Sequence, residues 1–292
     1  MTGDSRIHNF NAGPAVLPLS VVEECRAALP NLKGSGFGLL EISHRSQTFQ
    51  KVLDSAIARI RRVLSVPDGY TILLLQGGAS LQFAQVPMNL LAEGQTAGYL
   101  NTGTWGGKAL GDAVKVAPVY EAWSGADGSF MRMPTTDEID VRSDARYLHV
   151  TTNETIGGIR LPELPTADVP LVSDMSSDFL SRGIDWDVHD LVYGGAQKNL
   201  GPAGLAIVVV RRDRLSTHGR SLASYLPYAT HDANDSMANT PPMFAISVMG
   251  KVLRWMKAEG GLGEFERRSA ERASLPLGRP ALELAQTALG LH

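Results

Sequence analysis

The stretch that most constrains this chain is Val192 to Gly204, VYGGAQKNLGPAG. A short apolar run, Leu191 to Tyr193, enters a glycine pair, and a single lysine, Lys198, follows between Gln197 and Asn199. A Gly-Pro-Ala-Gly turn then leads into a second apolar run, Leu205 to Val210. Lysine is ordinarily solvated, yet a tight turn between two hydrophobic strands holds this one at the edge of a core. Desolvation lowers the pKa of such a lysine and leaves a neutral amine able to form a Schiff base with an aldehyde cofactor. Taken alone, the stretch also fits a plainer reading, a loop lysine whose head reaches water along its stem.

A chain of 292 residues, 43% hydrophobic and 20% charged, is long enough for two domains or one large α/β domain with appendages. It contains no run of about 18 apolar residues, so no membrane span is expected. The opening MTGDSRIHNFNAGPAVLP lacks a cationic start followed by an apolar segment, which argues against secretion. The single cysteine, Cys25, excludes an internal disulfide or a cysteine-cluster metal site, and it is expected on a helix face in a reducing cytoplasm. A net charge of -3 without basic clusters argues against nucleic acid as a partner.

Along the chain, Asn9 to Pro18 is turn-rich and reads as an ordered arm. Ser20 to Leu29 predicts a short helix with Ser20 as its cap and Glu23 and Glu24 in its first turn. Phe49, Val52, Leu53, Ala56, Ile57, Ile60, Val63 and Leu64 fall on one face of an amphipathic helix. From Thr71 the pattern alternates. Thr71 to Leu75 is a strand, QGGAS a turn, and Leu81 to Leu91 a helix. Gly98 to Asn101, Tyr147 to Thr151 and Leu171 to Asp174 are further strands, followed by the two that flank Lys198. This alternation predicts a largely parallel, doubly wound sheet with function at the carboxyl ends of its strands. A later helix is expected over Pro241 to Lys257, with its prolines at the start. The final stretch, Ser274 to His292, differs in kind, and its helical pattern is confined to Pro280 to Leu289.

A pyridoxal phosphate site needs a phosphate cradle, a carboxylate for the ring nitrogen, a face for the ring and a polar partner for the phenolic oxygen. Gln76 to Ser80 lies between strand and helix, where backbone N–H groups and the Ser80 hydroxyl can hold a phosphate, although a plain strand-to-helix turn has the same look. Asp174 ends a strand and suits a pyridinium nitrogen, or else caps the SSDF turn. Trp105, set among glycines, offers a stacking face or a packing residue. Thr155 follows a strand and can donate a hydroxyl. Arg45, beside His44, can grip a carboxylate or phosphate through two parallel hydrogen bonds, or can simply be solvated. Asn239 and Thr240 open the late helix as anion ligands or as caps.

Together NFNAGPAVLP, EISHRSQTF, QGGASLQF, NETIGGI, SDMSSDFLSR, YGGAQKNLGPAG and NDSMANTPPMFAI resemble the phosphoserine aminotransferase family, among class V, fold type I pyridoxal phosphate enzymes. The resemblance runs from about residue 7 to 273 and implies an α/β fold type I transferase with a mainly parallel, seven-stranded-type sheet and helices on both faces. It implies Lys198 as the Schiff-base lysine and proton shuttle. Asp174 would pair with the ring nitrogen, Trp105 would stack on the ring, and Thr155 and Gln197 would bond the cofactor. Ala79 and Ser80 would meet its phosphate, joined by Asn239 and Thr240 from the second subunit of a homodimer with shared sites. Arg45 and His44 would bind substrate.

The implied reaction moves an amino group reversibly from L-glutamate to 3-phosphohydroxypyruvate, giving 2-oxoglutarate and 3-phospho-L-serine for serine biosynthesis. In many bacteria the family also makes 4-phosphohydroxy-L-threonine for pyridoxine synthesis. The reading divides the chain into an arm (1–15), a cofactor-binding large domain (16–258) and the start of a small domain with an atypical tail (259–292). A shortened C-terminal domain, from a shifted frame or a truncated product, is the expectation for that tail. Two alternatives stay open at this point: another class V aminotransferase or lyase, and a silent cofactor-binding remnant.

Overall fold

A computed structural model describes residues 6–216 and 220–274. The helical pattern expected over Pro280 to Leu289 lies outside the described residues. Helix α1 (Leu19–Ala28) and helix α2 (Gln47–Val63) precede the sheet. Next come β1 (Tyr70–Leu75), α3 (Gly78–Leu90), β2 (Thr96–Asn101), α4 (Thr104–Ala113), β3 (Val119–Ser124) and β4 (Ala145–Thr151). A small hairpin, β5 (Asn153–Glu154) and β6 (Ile159–Arg160), leads on to β7 (Leu171–Asp174), β8 (His189–Gly195) and β9 (Ala206–Arg211). The described chain closes with α5 (Tyr228–Ala233), α6 (Met243–Ala258) and α7 (Gly261–Ser274). Among the described residues no helix is long and apolar enough to cross a membrane.

Seven strands form the main sheet in the order β1-β9-β8-β7-β4-β2-β3. Strand β9 runs antiparallel to both β1 and β8, and the remaining pairs are parallel. Side chains alternate across the sheet, as strand geometry requires. Ile72 and Leu74 of β1 point to the layer of α2 and α6, whereas Leu73 and Leu75 join the layer of α3 and α4. The expected stripe of α2 supplies the first layer, with Phe49, Leu53, Ala56 and Ile60 fully buried. Ser46 caps α2 by accepting the Phe49 N–H at 3.2 Å, a contact worth about 1 kcal/mol.

Two sequence expectations shift. Helix α1 starts at Leu19 behind Pro18, whose carbonyl accepts the N–H groups of Val21 and Val22, so Ser20 is inside the helix and no acidic residue occupies the first turn. Helix α3 starts at Gly78, earlier than the expected Leu81, because Gly77 and Gly78 at φ 89° and 62° turn the chain directly into the helix. That places Ala79 and Ser80 in its first turn. Residue 258, the expected domain boundary, is the last of α6. Helix α7 beyond it lays Phe265 on Trp255 of α6, with ring centroids 5.3 Å apart.

A buried polar row lies within the α3/α4 layer. Tyr99 and Tyr147 share a hydrogen bond of 2.8 Å, and His149 Nε2 bonds the Tyr193 hydroxyl at 2.9 Å while its ring stacks on Tyr99. Burial pushes the His149 pKa down to about 3. The unfolded chain takes up this proton below about pH 6.5 and the native chain does not, so acid erodes stability by about 1.4 kcal/mol per pH unit until the folded pKa is reached. Between pH 7 and pH 5 the native protein is expected to lose about 2 kcal/mol through His149. In urea unfolding at the two pH values, His149→Gln should shrink the drop by that amount; an unchanged drop refutes the assignment.

Candidate functional site

Strands β8 and β9 form a hairpin whose loop carries Lys198. The loop is closed at its base by Ala196 N–H donating to Leu205 O at 2.8 Å, and Gly201 N–H donates back to Ala196 O at 2.7 Å. Gly194 is required there, because a Cβ would lie 2.7 Å from the Phe179 ring. Lys198 is half-buried, and its Nζ donates to Thr155 Oγ1 at 2.5 Å and lies 5.6 Å from the centre of the Trp105 ring. Burial lowers its pKa, against the attraction of Asp174 and Glu154, which favour its charge. The N-terminal arm rests on this loop: Ala15 N–H donates to Gln197 O at 2.8 Å, and a Cβ on Gly13 would meet Lys198 Cγ at 3.1 Å.

Asp174 sits at the carboxyl end of β7, buried, and its Oδ1 accepts Ser176 N–H at 2.9 Å and Ser176 Oγ–H at 2.6 Å. Burial pushes its carboxyl up, opposed by the Ser176 bonds and by the Lys198 charge. Asp174 thus caps the following turn, as one sequence reading expected, and it also lines the cavity that Lys198 enters. Helix α3 enters from the side, and its first N–H groups have no partner within the helix.

A cavity of about 320 Å³, within the size range of small-ligand sites, is lined by Lys198, Gln197, Asp174, Thr155, Trp105, Ser80 and Ala79. It brings together parts of the chain far apart in sequence. His44, Arg45, Asn239 and Thr240 do not line it. Arg45, Asn239 and Thr240 are exposed, and the Thr240 carbonyl accepts from Gln76 Nε2 at 2.5 Å at the approach to α3.

Sequence reasoning missed several contributors. Ala12 and Gly13 line the cavity from the arm, and Thr151 and Ser176 from the strand ends. Glu154, buried beside Thr155, accepts the Trp105 and Gly106 N–H groups at 3.0 and 2.8 Å. The available signal was the run NETIGGI itself, of which only the threonine was assigned chemistry.

The fold and its lysine-centred cavity define a class V aminotransferase, and the sequence model of that family matches residues 7–279. Phosphoserine aminotransferase from Geobacillus kaustophilus is 44% identical over 270 residues, covering 92% of this chain and 75% of the relative. Among solved structures, phosphoserine aminotransferase from Bacillus circulans subsp. alkalophilus superposes with a TM-score of 0.88 at 44% identity, covering 93% of this chain and 76% of that one. The PLP-bound phosphoserine aminotransferase from Trichomonas vaginalis matches with a TM-score of 0.81 at 34% identity, covering 90% and 78%. The chain belongs to the phosphoserine aminotransferase family and spans about three quarters of the length of these relatives.

Proposed function

We propose that this chain transfers an amino group between L-glutamate and 3-phosphohydroxypyruvate, giving 2-oxoglutarate and 3-phospho-L-serine, with pyridoxal 5'-phosphate as cofactor. The observation that carries the reading is Lys198 Nζ, held 2.5 Å from Thr155 in a cavity that buried Asp174 also lines. Formation of 4-phosphohydroxy-L-threonine by the same site belongs to the same reading.

The residues present fit the cofactor. Asp174 is a desolvated carboxylate in want of a cation, as a protonated ring nitrogen supplies. Trp105 Nε1 and Thr151 Oγ1 are buried without a protein partner, and both residues line the cavity. Ala79 and Ser80 offer N–H groups at the start of a 13-residue helix, where the helix dipole favours a phosphate. In this reading Lys198 holds the cofactor, Asp174 its ring nitrogen, Trp105 its ring face, and Thr155 and Gln197 its polar substituents.

Bound there, pyridoxal phosphate supplies an electron sink for the bonds of the substrate α-carbon. Lys198 Nζ, whose neutral form burial favours, removes the α-proton and returns it on the other side of the transfer. Thr155 orients that amine, and the arm over Gly13 limits where its stem can swing. Asn239 and Thr240, exposed and clear of their own cavity, reach the phosphate of a second copy in a homodimer with shared sites. Arg45 and His44 bind the anionic end of the substrate. The buried free thiol of Cys25 accords with a reducing cytoplasm.

The test is an absorption spectrum of the purified protein with pyridoxal phosphate, before and after L-glutamate, with 2-oxoglutarate assayed in parallel. The expected result is a cofactor band that changes on adding glutamate and one 2-oxoglutarate released per site, with phosphoserine formed once 3-phosphohydroxypyruvate follows. A cofactor band indifferent to L-glutamate overturns the proposed donor.

A further inference from the structure

Helix α4 has an unusual start. Its N-cap residue is Gly103, which has no side chain to satisfy the first N–H groups. The cap comes instead from the neighbouring hairpin: Glu154 Oε2 accepts Trp105 N–H at 3.0 Å, and Oε1 accepts Gly106 N–H at 2.8 Å and Thr102 Oγ–H at 3.1 Å. Glu154 is 1% exposed, so these donors replace its solvent. The fit is tight. A Cβ on Gly106 would lie 2.7 Å from Leu100 O and 3.3 Å from Glu154 Oε1. A carboxylate at this position also gains from the helix dipole.

The same short run is also tied to β7, to the turn after it and to Lys198. Thr152 N–H donates to Asp174 O at 3.1 Å. Asn153 and Ser177 bond each other twice, at 2.7 and 2.9 Å. Thr155, the next residue after Glu154, accepts from Lys198. The side chain of Glu154 is the link between this run and the helix that carries Trp105.

We propose that Glu154 is a positioning residue: by capping α4 from the hairpin it fixes the Trp105 ring against the Lys198–Thr155 pair. It touches none of the reacting atoms and acts through Trp105 and Thr155. This rests on the reading that Trp105 faces the cofactor ring. The carboxylate also favours the charged form of Lys198, a smaller influence than burial or Asp174.

The test is Glu154→Gln in the full chain, which keeps the shape but replaces one acceptor oxygen with a donor facing N–H groups. Amide hydrogen exchange at Trp105 and Gly106 should quicken at least tenfold while Val172 and Val192 stay protected, and pyridoxal phosphate should bind about tenfold more weakly. Glu154→Asp, which retains the charge on a shorter stem, should fall between. Exchange at Trp105 and Gly106 within twofold of the parent overturns the proposal, even if cofactor binding weakens. If Glu154→Gln does not fold, Thr102→Val, which removes one donor only, decides: about threefold faster exchange supports the cap and unchanged exchange overturns it. A parent protein that binds no pyridoxal phosphate refutes the functional reading, while the exchange comparison still judges the cap.

Discussion

Lys198→Ala is expected to lower amino transfer by at least about 10⁴-fold, the upper range for a positioned acid–base group, while the protein stays folded. The separation of these effects follows from burial. The ammonium is disfavoured where it sits, so the native state gains little from it, and removing it should leave thermal stability unchanged or slightly raised. Lys198→Arg does not restore the rate, because a guanidinium stays protonated at any working pH. The parent's rate should rise with pH as Lys198 loses its proton, with the midpoint below the ordinary lysine value of 10.5. Initial rates with L-glutamate and a melting curve for each variant check the set. A Lys198→Ala protein keeping more than about a hundredth of the rate refutes the proton-transfer role.

Asp174→Asn is expected to cost about 10³-fold in turnover, in the middle of the acid–base range, with little loss of stability. Asparagine keeps an oxygen for both Ser176 donors, whereas alanine leaves them buried and unpaired at about 1–3 kcal/mol each. The asparagine variant thus isolates the charge. Losing that charge also removes an attraction that favours protonated Lys198, so the rising limb of the pH–rate profile should move to lower pH although the plateau falls. Measured rates across pH test both. A plateau within tenfold of the parent removes Asp174 from the mechanism.

How much of this was legible in the sequence depends on whether the cause is local. Lys198 stands out because strand, glycine pair and turn are contiguous around it. Strand β1 and helix α2 stand out because their periodicities are unbroken. By contrast α4 carries Gly106, Gly107 and Gly111, each costing helix propensity, and its cap comes from residue 154. Nothing within Thr104 to Ala113 shows that a helix starts there. Strand β3 lies at the sheet edge with Glu121 exposed, so VYEAWS lacks the continuous apolar run of its neighbours. The contributions of Ala12 and Gly13 exist only because the arm folds back onto the loop of Gln197 and Lys198, a contact that no local pattern encodes. His44, Arg45, Asn239 and Thr240 read as ligands by residue type, but the fold of one chain leaves them outside the cavity.

The strand order has a consequence for synthesis. Strand β1 pairs only with β9, Tyr70 opposite Arg211, so YTILLL leaves the ribosome with no strand partner until about half of the described chain has followed. At usual elongation rates that wait is on the order of 10 s, long compared with the time such an apolar strand needs to meet another like it. The hairpin that presents Lys198 closes over a few residues, but the sheet that seats it is completed last. A nascent chain stalled before β9 therefore carries an unpaired apolar strand, the kind of edge that can pair with another chain.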